Sequence, residues 1–207
     1  MLKLNRRAMI ALAAAATAAM TPALAEDAAA PAAAPGDFSI GSADAPVKIV
    51  EYASFTCPHC AHFHETVFGQ LKTNYIDTGK VHFTLREVYF DRYGLWAAMV
   101  ARCGGEMRYF GIHDILFAKQ SEWAASEDPM QVVNNLKAIG LSAGIDQATL
   151  DACLNDQAQA EALIAQFETN MAADDVQGTP TIFVNGVKYS NMSYDELAAI
   201  LDAELAK

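Results

Sequence analysis

The stretch FTCPHCAHFH, residues 55–64, holds two cysteines and three histidines in ten positions. Both residue types serve zinc coordination and thiol chemistry, so its reading separates a metal site from a redox site. The run before it, from Pro46 to Ala53 (PVKIVEYA), is short and mostly apolar and reads as a buried strand. After it, Phe63, Val67, Leu71 and Tyr75 recur every four residues, with Phe68 widening the stripe. That is one face of a helix, which Gly79-Lys80 breaks. The two cysteines therefore stand at a strand-to-helix junction.

A structural zinc site takes four ligands, commonly as two pairs. Cys57 and Cys60 make one pair, and neither a second CxxC nor an HxxxH occurs. His62 and His64 lie two apart on the expected helix, so they point about 200° apart and cannot share an ion. Both read as exposed helix residues. Cys103 and Cys153 sit singly on distant segments, and no metal is expected.

The redox reading explains more of the stretch. Cys57 would sit beside the first helical N–H groups, whose partial positive charge favours a thiolate. Cys60 lies one turn further in, close enough to form a disulfide with Cys57. Pro58 fixes φ and lacks an N–H, which suits the first helical position. His59 adds hydrogen bonds, or positive charge when protonated. Each unit by which the Cys57 pKa falls stabilises the thiolate by about 1.4 kcal/mol relative to the thiol. A disulfide has no thiolate to stabilise, so the reduced form gains and the pair becomes an oxidant.

The whole chain sets the compartment. Its 207 residues carry 14 Lys+Arg against 25 Asp+Glu. Lys3, Arg6 and Arg7 precede an apolar, alanine-rich run from Ala8 to Met20 and a small-residue site at Ala23-Leu24-Ala25. Residues 1–25 thus read as a signal peptide, with export to the periplasm expected. Cleavage there removes three cations and no acid, taking the formal charge from −11 to −14. So acidic a surface excludes nucleic acid and anionic lipid as natural partners. Residues 26–37, EDAAAPAAAPGD, read as an Ala/Pro-rich linker too poor in large side chains to fold. Outside the cytoplasm, four cysteines point to disulfides before metal.

Further along, Val81 to Val88 reads as a second strand, and residues 91–175 carry helical signals throughout. Leu95, Trp96, Met99, Val100 and Cys103 form one stripe, stopped by Gly104-Gly105. Asp128-Pro129 opens a helix that Gly140 is expected to close. Asp146 caps a short helix with Leu150 and Cys153, and Ala160, Leu163, Ile164, Phe167 and Met171 line a long one. Thr181 to Val184, Asn185-Gly186 and Val187 to Tyr189 form a hairpin signal. Ser193 and Glu196 make a capping box before Leu197, Ile200 and Leu201. Trp96, Tyr109, Phe110, Phe117 and Trp123 read as core in preference to a substrate groove, and His82 and His113 as structural.

IVEYASFTCPHC resembles the active-site strand and helix start of the DsbA family of oxidoreductases, and AADDVQGTPTIFVNGVKY is similar to that family's cis-proline loop and hairpin. The helical segment stands where the family inserts its helical domain. The resemblance covers almost all of the mature chain. It implies an α/β, thioredoxin-like fold in two parts, residues 38–90 and 176–207, around an all-helical insertion at 91–175. Cys57 becomes the nucleophile and Cys60 the resolving thiol, tuned by Pro58 and His59. Thr179-Pro180 becomes the cis bond beside the sulfurs, where an extended substrate adds like a strand. Glu51 matches a buried acid below the disulfide with a proton-transfer role. Of the lysine that often accompanies that acid, only Lys80 and Arg86 are nearby candidates. Cys103 and Cys153, similar to a subset of the family, are expected to form a structural disulfide.

The implied activity is a protein disulfide oxidase, donating the Cys57–Cys60 disulfide to folding exported proteins that carry cysteines. It would act as a monomer and be recycled by a DsbB-like membrane quinone reductase. No cofactor is expected, since GxGxxG does not occur. Two other readings stay open: an isomerase or reductase kept reduced by a membrane partner, and a periplasmic copper(I) carrier using two sulfurs.

Overall fold

A computed structural model describes residues 35–207. The expected signal peptide and most of the expected linker lie outside the described residues. Gly36 and Asp37, at the linker's end, are already held: the Arg102 guanidinium donates to the Gly36 carbonyl, and Arg86 Nε lies 2.9 Å from Asp37 Oδ2.

Five strands form one sheet in the order β1-β3-β2-β4-β5. They are β1 (Phe38–Ile40), β2 (Val47–Ala53), β3 (Val81–Glu87), β4 (Thr181–Val184) and β5 (Val187–Ser190). β2 and β3 are parallel, with Val47 opposite Val81 and Ala53 opposite Glu87, and the other pairings are antiparallel. β2 is therefore the central strand. Its residues Val47, Ile49, Glu51 and Ala53 share one buried face. β1, three residues long, is too short to show alternation in sequence. It is fixed by side chains: Ser39 Oγ lies 2.7 Å from Thr84 Oγ1, and the Phe38 ring stacks on Tyr109.

The β2–β3 crossover winds unevenly. Helix α1 (Pro58–Phe63) passes into a π-helical turn (His64–Phe68), then α2 (Gly69–Leu71), then a second π-helical turn (Lys72–Ile76). An α-helix turns 100° per residue, so a stripe repeating every four drifts by about 40° per step. The wider π turns offset that drift, and Phe63, Val67, Leu71 and Tyr75 all remain buried.

Between β3 and β4 run α3 (Arg92–Cys103), α4 (Glu106–Ala118), α5 (Gln120–Trp123), α6 (Pro129–Ser142), α7 (Gln147–Leu154) and α8 (Gln157–Ala173). Asp91, Asp128 and Asp146 cap α3, α6 and α7 through their carboxylates. Gly140 does not close α6, which runs on to Ser142. Gly140 is buried, and a Cβ there would sit 2.5 Å from the Leu150 side chain; the left-handed glycine after the helix is Gly144. Ile164 faces outward from α8, leaving Leu163, Phe167 and Met171 as its inner face. Asn185 and Gly186 both take positive φ in the β4–β5 turn, and Ser193 with Glu196 forms the capping box of α9 (Tyr194–Leu205). No helix among the described residues is long and apolar enough to cross a membrane.

The helical segment shares one core with the sheet, where Tyr109, Ile112, Leu116, Phe117 and Trp123 pack with Val47, Ile49 and Phe83. Trp96 and Phe110 are half-buried at its margin. One buried ion pair reinforces the junction: Arg102 Nη2 lies 2.6 Å from Glu87 Oε2. Tyr109 and Tyr89 hydroxyls donate to the same carboxylate at 2.6 and 2.8 Å, satisfying its oxygens out of water.

Cys103, at the end of α3, is disulfide-bonded to Cys153 in α7 across 50 positions of sequence. By loop-closure entropy such a bridge contributes on the order of 4 kcal/mol. Replacing both cysteines with serine is expected to lower the urea unfolding free energy by about 2–4 kcal/mol. An unchanged midpoint would show that the bridge adds nothing to stability.

Candidate active site

Cys57 is the N-cap of α1, in extended conformation with φ −80° and ψ 117°, and Pro58 follows at the first helical position. The chain entering the helix is held from several sides. Cys57 N–H donates to the Ser54 carbonyl at 3.0 Å, and Thr56 Oγ1 donates to Asp91 at 2.6 Å. From α5, Gln120 Nε2 donates to the carbonyls of Phe55 (2.7 Å) and Cys57 (3.0 Å). Gly94 on α3 packs close under Ser54 and Thr56, where a Cβ would stand 3.3 Å from both hydroxyl oxygens. Gln120 and Gly94 escape sequence reasoning because neither lies near the CxxC in the chain.

The structure holds the pair as a dithiol, with Cys57 half-exposed and Cys60 fully buried. The Cys60 thiol donates to the Cys57 sulfur, and this is the largest influence holding the Cys57 pKa down at about 5. Burial opposes it; Thr179 and the backbone N–H groups of Cys60 and His59 add to it. The same hydrogen bond pushes the Cys60 pKa up, reinforced by burial and by the charge of Glu51. The asymmetry is intrinsic to the helix start: the sulfur at the cap collects N–H dipoles, and the sulfur one turn inside faces the core.

Pro58 and His59 are exposed. The His59 backbone N–H, not its ring, reaches the Cys57 sulfur. The Thr179–Pro180 peptide bond is cis, and the Thr179 carbonyl lies 3.6 Å from Cys57 Sγ. Pro180 is buried, and the Thr179 hydroxyl is buried without a hydrogen-bond partner. β4 begins at the next residue, so the loop is fixed at the sulfurs by the strand that pairs with β2.

Glu51 is fully buried on the central strand, opposite Leu85 and Ile182. Burial pushes its carboxyl up to about 8, with His113 pulling the other way. Neither Lys80 nor Arg86 accompanies it. Lys80 lies over the Tyr75 ring, and Arg86 pairs with Asp37 and Asp174 on the other face of the sheet. The group beside Glu51 is His64, whose Nε2 lies 3.1 Å from Glu51 Oε2. His64 is thus not an exposed helix residue; its side chain is only 5 % exposed. His62 does face solvent. The signal was present in the spacing, since His64 stands four residues after the buried Cys60, on the same helix face. His113 is buried as well, its ring 4.5 Å from that of His64.

The family described as thioredoxin matches residues 33–203, and the chain belongs to it. Its fold is the thioredoxin-like mixed sheet with helices. The solved structure of Wolbachia pipientis alpha-DsbA1 superposes with a TM-score of 0.76 at 27% identity, covering 82% of this chain and 90% of that one. A Rickettsia bellii protein named protein-disulfide oxidoreductase is 36% identical over 167 residues, 80% of this chain. The chain spans 63% of that relative's length. The disulfide bond formation protein D of Bacillus subtilis is 27% identical over 180 residues, 80% of this chain and 76% of that protein.

Alkylation of the reduced protein with iodoacetamide reads the asymmetry directly. Thiolate, and with it rate, rises with pH. Labelling at Cys57 is expected to reach half its maximum near pH 5, in place of the ordinary 9, with Cys60 unlabelled. Equal labelling of both sulfurs, or a Cys57 midpoint near 9, would contradict the geometry.

Proposed function

We propose that this protein is an exported thiol:disulfide oxidoreductase that donates the Cys57–Cys60 disulfide to folding proteins. The observation that carries it is the division of the pair into an accessible sulfur held down at about 5 and a buried one pushed up. A substrate thiolate attacks Cys57 Sγ, the S–S bond breaks, and Cys60 leaves with the electron pair. The substrate's second thiolate then attacks its own sulfur in the mixed disulfide. A substrate disulfide forms and Cys57 leaves as a stabilised thiolate, so two electrons pass from substrate to protein.

The Thr179 loop supports binding of an extended chain, because its N–H has no acceptor among the described residues while its carbonyl faces Cys57. A peptide added there pairs through backbone groups and asks little of side-chain identity, which suits unfolded clients. Pro58, at the exposed mouth, leaves approach to Cys57 open. Recycling requires an electron acceptor, and a DsbB-like membrane quinone reductase is the partner proposed. The protein acts as a monomer in this reading, in the periplasm after signal-peptide removal.

Acid quenching of cells, followed by alkylation of free thiols and mapping of the four cysteines, tests this. Cys57 and Cys60 are expected to be unlabelled, kept oxidised by the partner. Labelling of both, with Cys103 and Cys153 protected, would overturn the donor role in favour of an isomerase or reductase. Labelling together with copper in the purified protein would point to metal carriage instead.

A further inference from the structure

Glu51 and His64 form a buried pair: His64 Nε2 stands within bonding distance of Glu51 Oε2 without being aligned for a hydrogen bond, and no polar atom of either side chain has another partner among the described residues. A buried polar group without a hydrogen bond loses its hydration with nothing in return, so a pair of them in a core calls for an explanation. Packing alone does not supply one. The His64 ring lies flat on Phe117, with centroids 4.0 Å apart and planes 4° apart, and packs against Phe63 and Phe68. A phenyl ring would fill that slot without burying nitrogen.

The position of His64 is particular. Inward, its Nε2 lies 3.1 Å from Glu51 Oε2. Outward, its side chain helps line a groove of about 570 Å³ beside α1, whose wall also includes Pro58, His62, Glu65, Lys72, Asp114 and Gln120. Around the pair, the titratable groups are Cys57 and Cys60 at the start of α1, and His113 and Asp114 on α4. His113 Nδ1 lies 2.8 Å from Asp114 Oδ1, whose side chain is half-exposed. On the groove wall, Lys72 pairs with Asp77 at 2.7 Å and Glu65 lies 3.7 Å from His62.

We propose that His64 carries the proton between Glu51 and the groove, so that the Cys60 proton enters and leaves through Cys60, Glu51 and His64. This deepens, and rests on, the oxidoreductase reading. When substrate takes Cys57 Sγ, Cys60 departs as a thiolate and neutral Glu51 gives it a proton. His64 returns a proton to the carboxylate from one ring nitrogen and regains one at the other. During reoxidation the order reverses. Cys60 passes its proton to the Glu51 carboxylate, and its thiolate attacks Cys57 Sγ of the mixed disulfide with the oxidant, expelling the partner's thiolate. A neutral ring can accept at one nitrogen and release at the other, so no charged imidazolium need persist in the core.

His64 acts through Glu51, so its test needs a readout that simple structural damage would not move. The reduced full chain is mixed with oxidised glutathione, acid-quenched and weighed intact. Growth of the Cys57–glutathione adduct reports Cys57 attack, and its decay reports the Cys60 step. In His64→Phe, which keeps the stack on Phe117, growth is expected to match the wild type. Decay is expected to slow about a hundredfold, the lower end of what a positioned acid–base group supplies. Its pH profile should also follow bulk hydroxide. His64→Gln gives a second, independently folded variant with the same expectation, and added imidazole should speed decay in His64→Ala. Decay within about twofold of wild type with an unchanged pH profile, or growth and decay falling together, overturns the relay. A wild-type chain that forms no adduct overturns the oxidoreductase reading itself, and that result is visible before any variant is made.

Discussion

Pro58 fixes φ at the first helical position and offers no N–H, so α1 starts at one place and Cys57 becomes its cap. The rest of the site follows from that start. The free N–H groups of the first turn gather at the Cys57 sulfur, while Cys60, three residues on, is turned into the core. Gln120, Asp91 and Gly94, all from the helical segment, then fix the chain leading into the cap. The helical segment therefore does more than cover the sheet: it holds the chain that leads into the Cys57 cap.

The sheet contributes from below. β2 is the central strand, and its buried face presents Val47, Ile49, Glu51 and Ala53 in succession. An acid in that row has no water to ionise into, which is why burial dominates its behaviour. The neighbouring strand β4 leads directly out of the Thr179–Pro180 loop, so one ladder positions the acid beneath the pair and the carbonyl beside it. The helix start, the acid and the loop are three consequences of two adjacent strands ending at the same edge.

Much of this was legible in sequence, for identifiable reasons. Strong local signals located the elements: the Asp-Pro start of α6, the Asn-Gly turn, the capping box and the stripe from Phe63 to Tyr75. Those signals are chemical requirements of single turns. Some readings that needed tertiary information failed, although the Cys103–Cys153 disulfide did not. Gly140 looks like a helix stop, but is small because Leu150 lies against it. His64 looked exposed when compared with His62, whereas comparison with Cys60 would have placed it on the inner face. Gln120 and the His113–Asp114 pair come to the site from α4 and α5, more than 50 residues along the chain, where no local pattern marks them. The partner of Glu51 was sought among cations, and the fold supplies a neutral imidazole instead, its pKa held down to about 3 by burial.

The central claim is that the folded protein stabilises the reduced pair through the Cys57 thiolate. Closing the four-residue Cys57–Cys60 loop constrains the unfolded chain by only about 2 kcal/mol, independent of pH. The thiolate effect does depend on pH. With a folded pKa of about 5 against an ordinary 9, it is absent well below 5, grows between the two, and is complete above 9. The direct measurement is urea unfolding of the oxidised and reduced forms across pH 4 to 8. The account predicts that the reduced form gains on the oxidised form steadily as pH rises above about 5, and loses that gain as pH falls back through it. A difference between the two forms that stays constant over this range would contradict it.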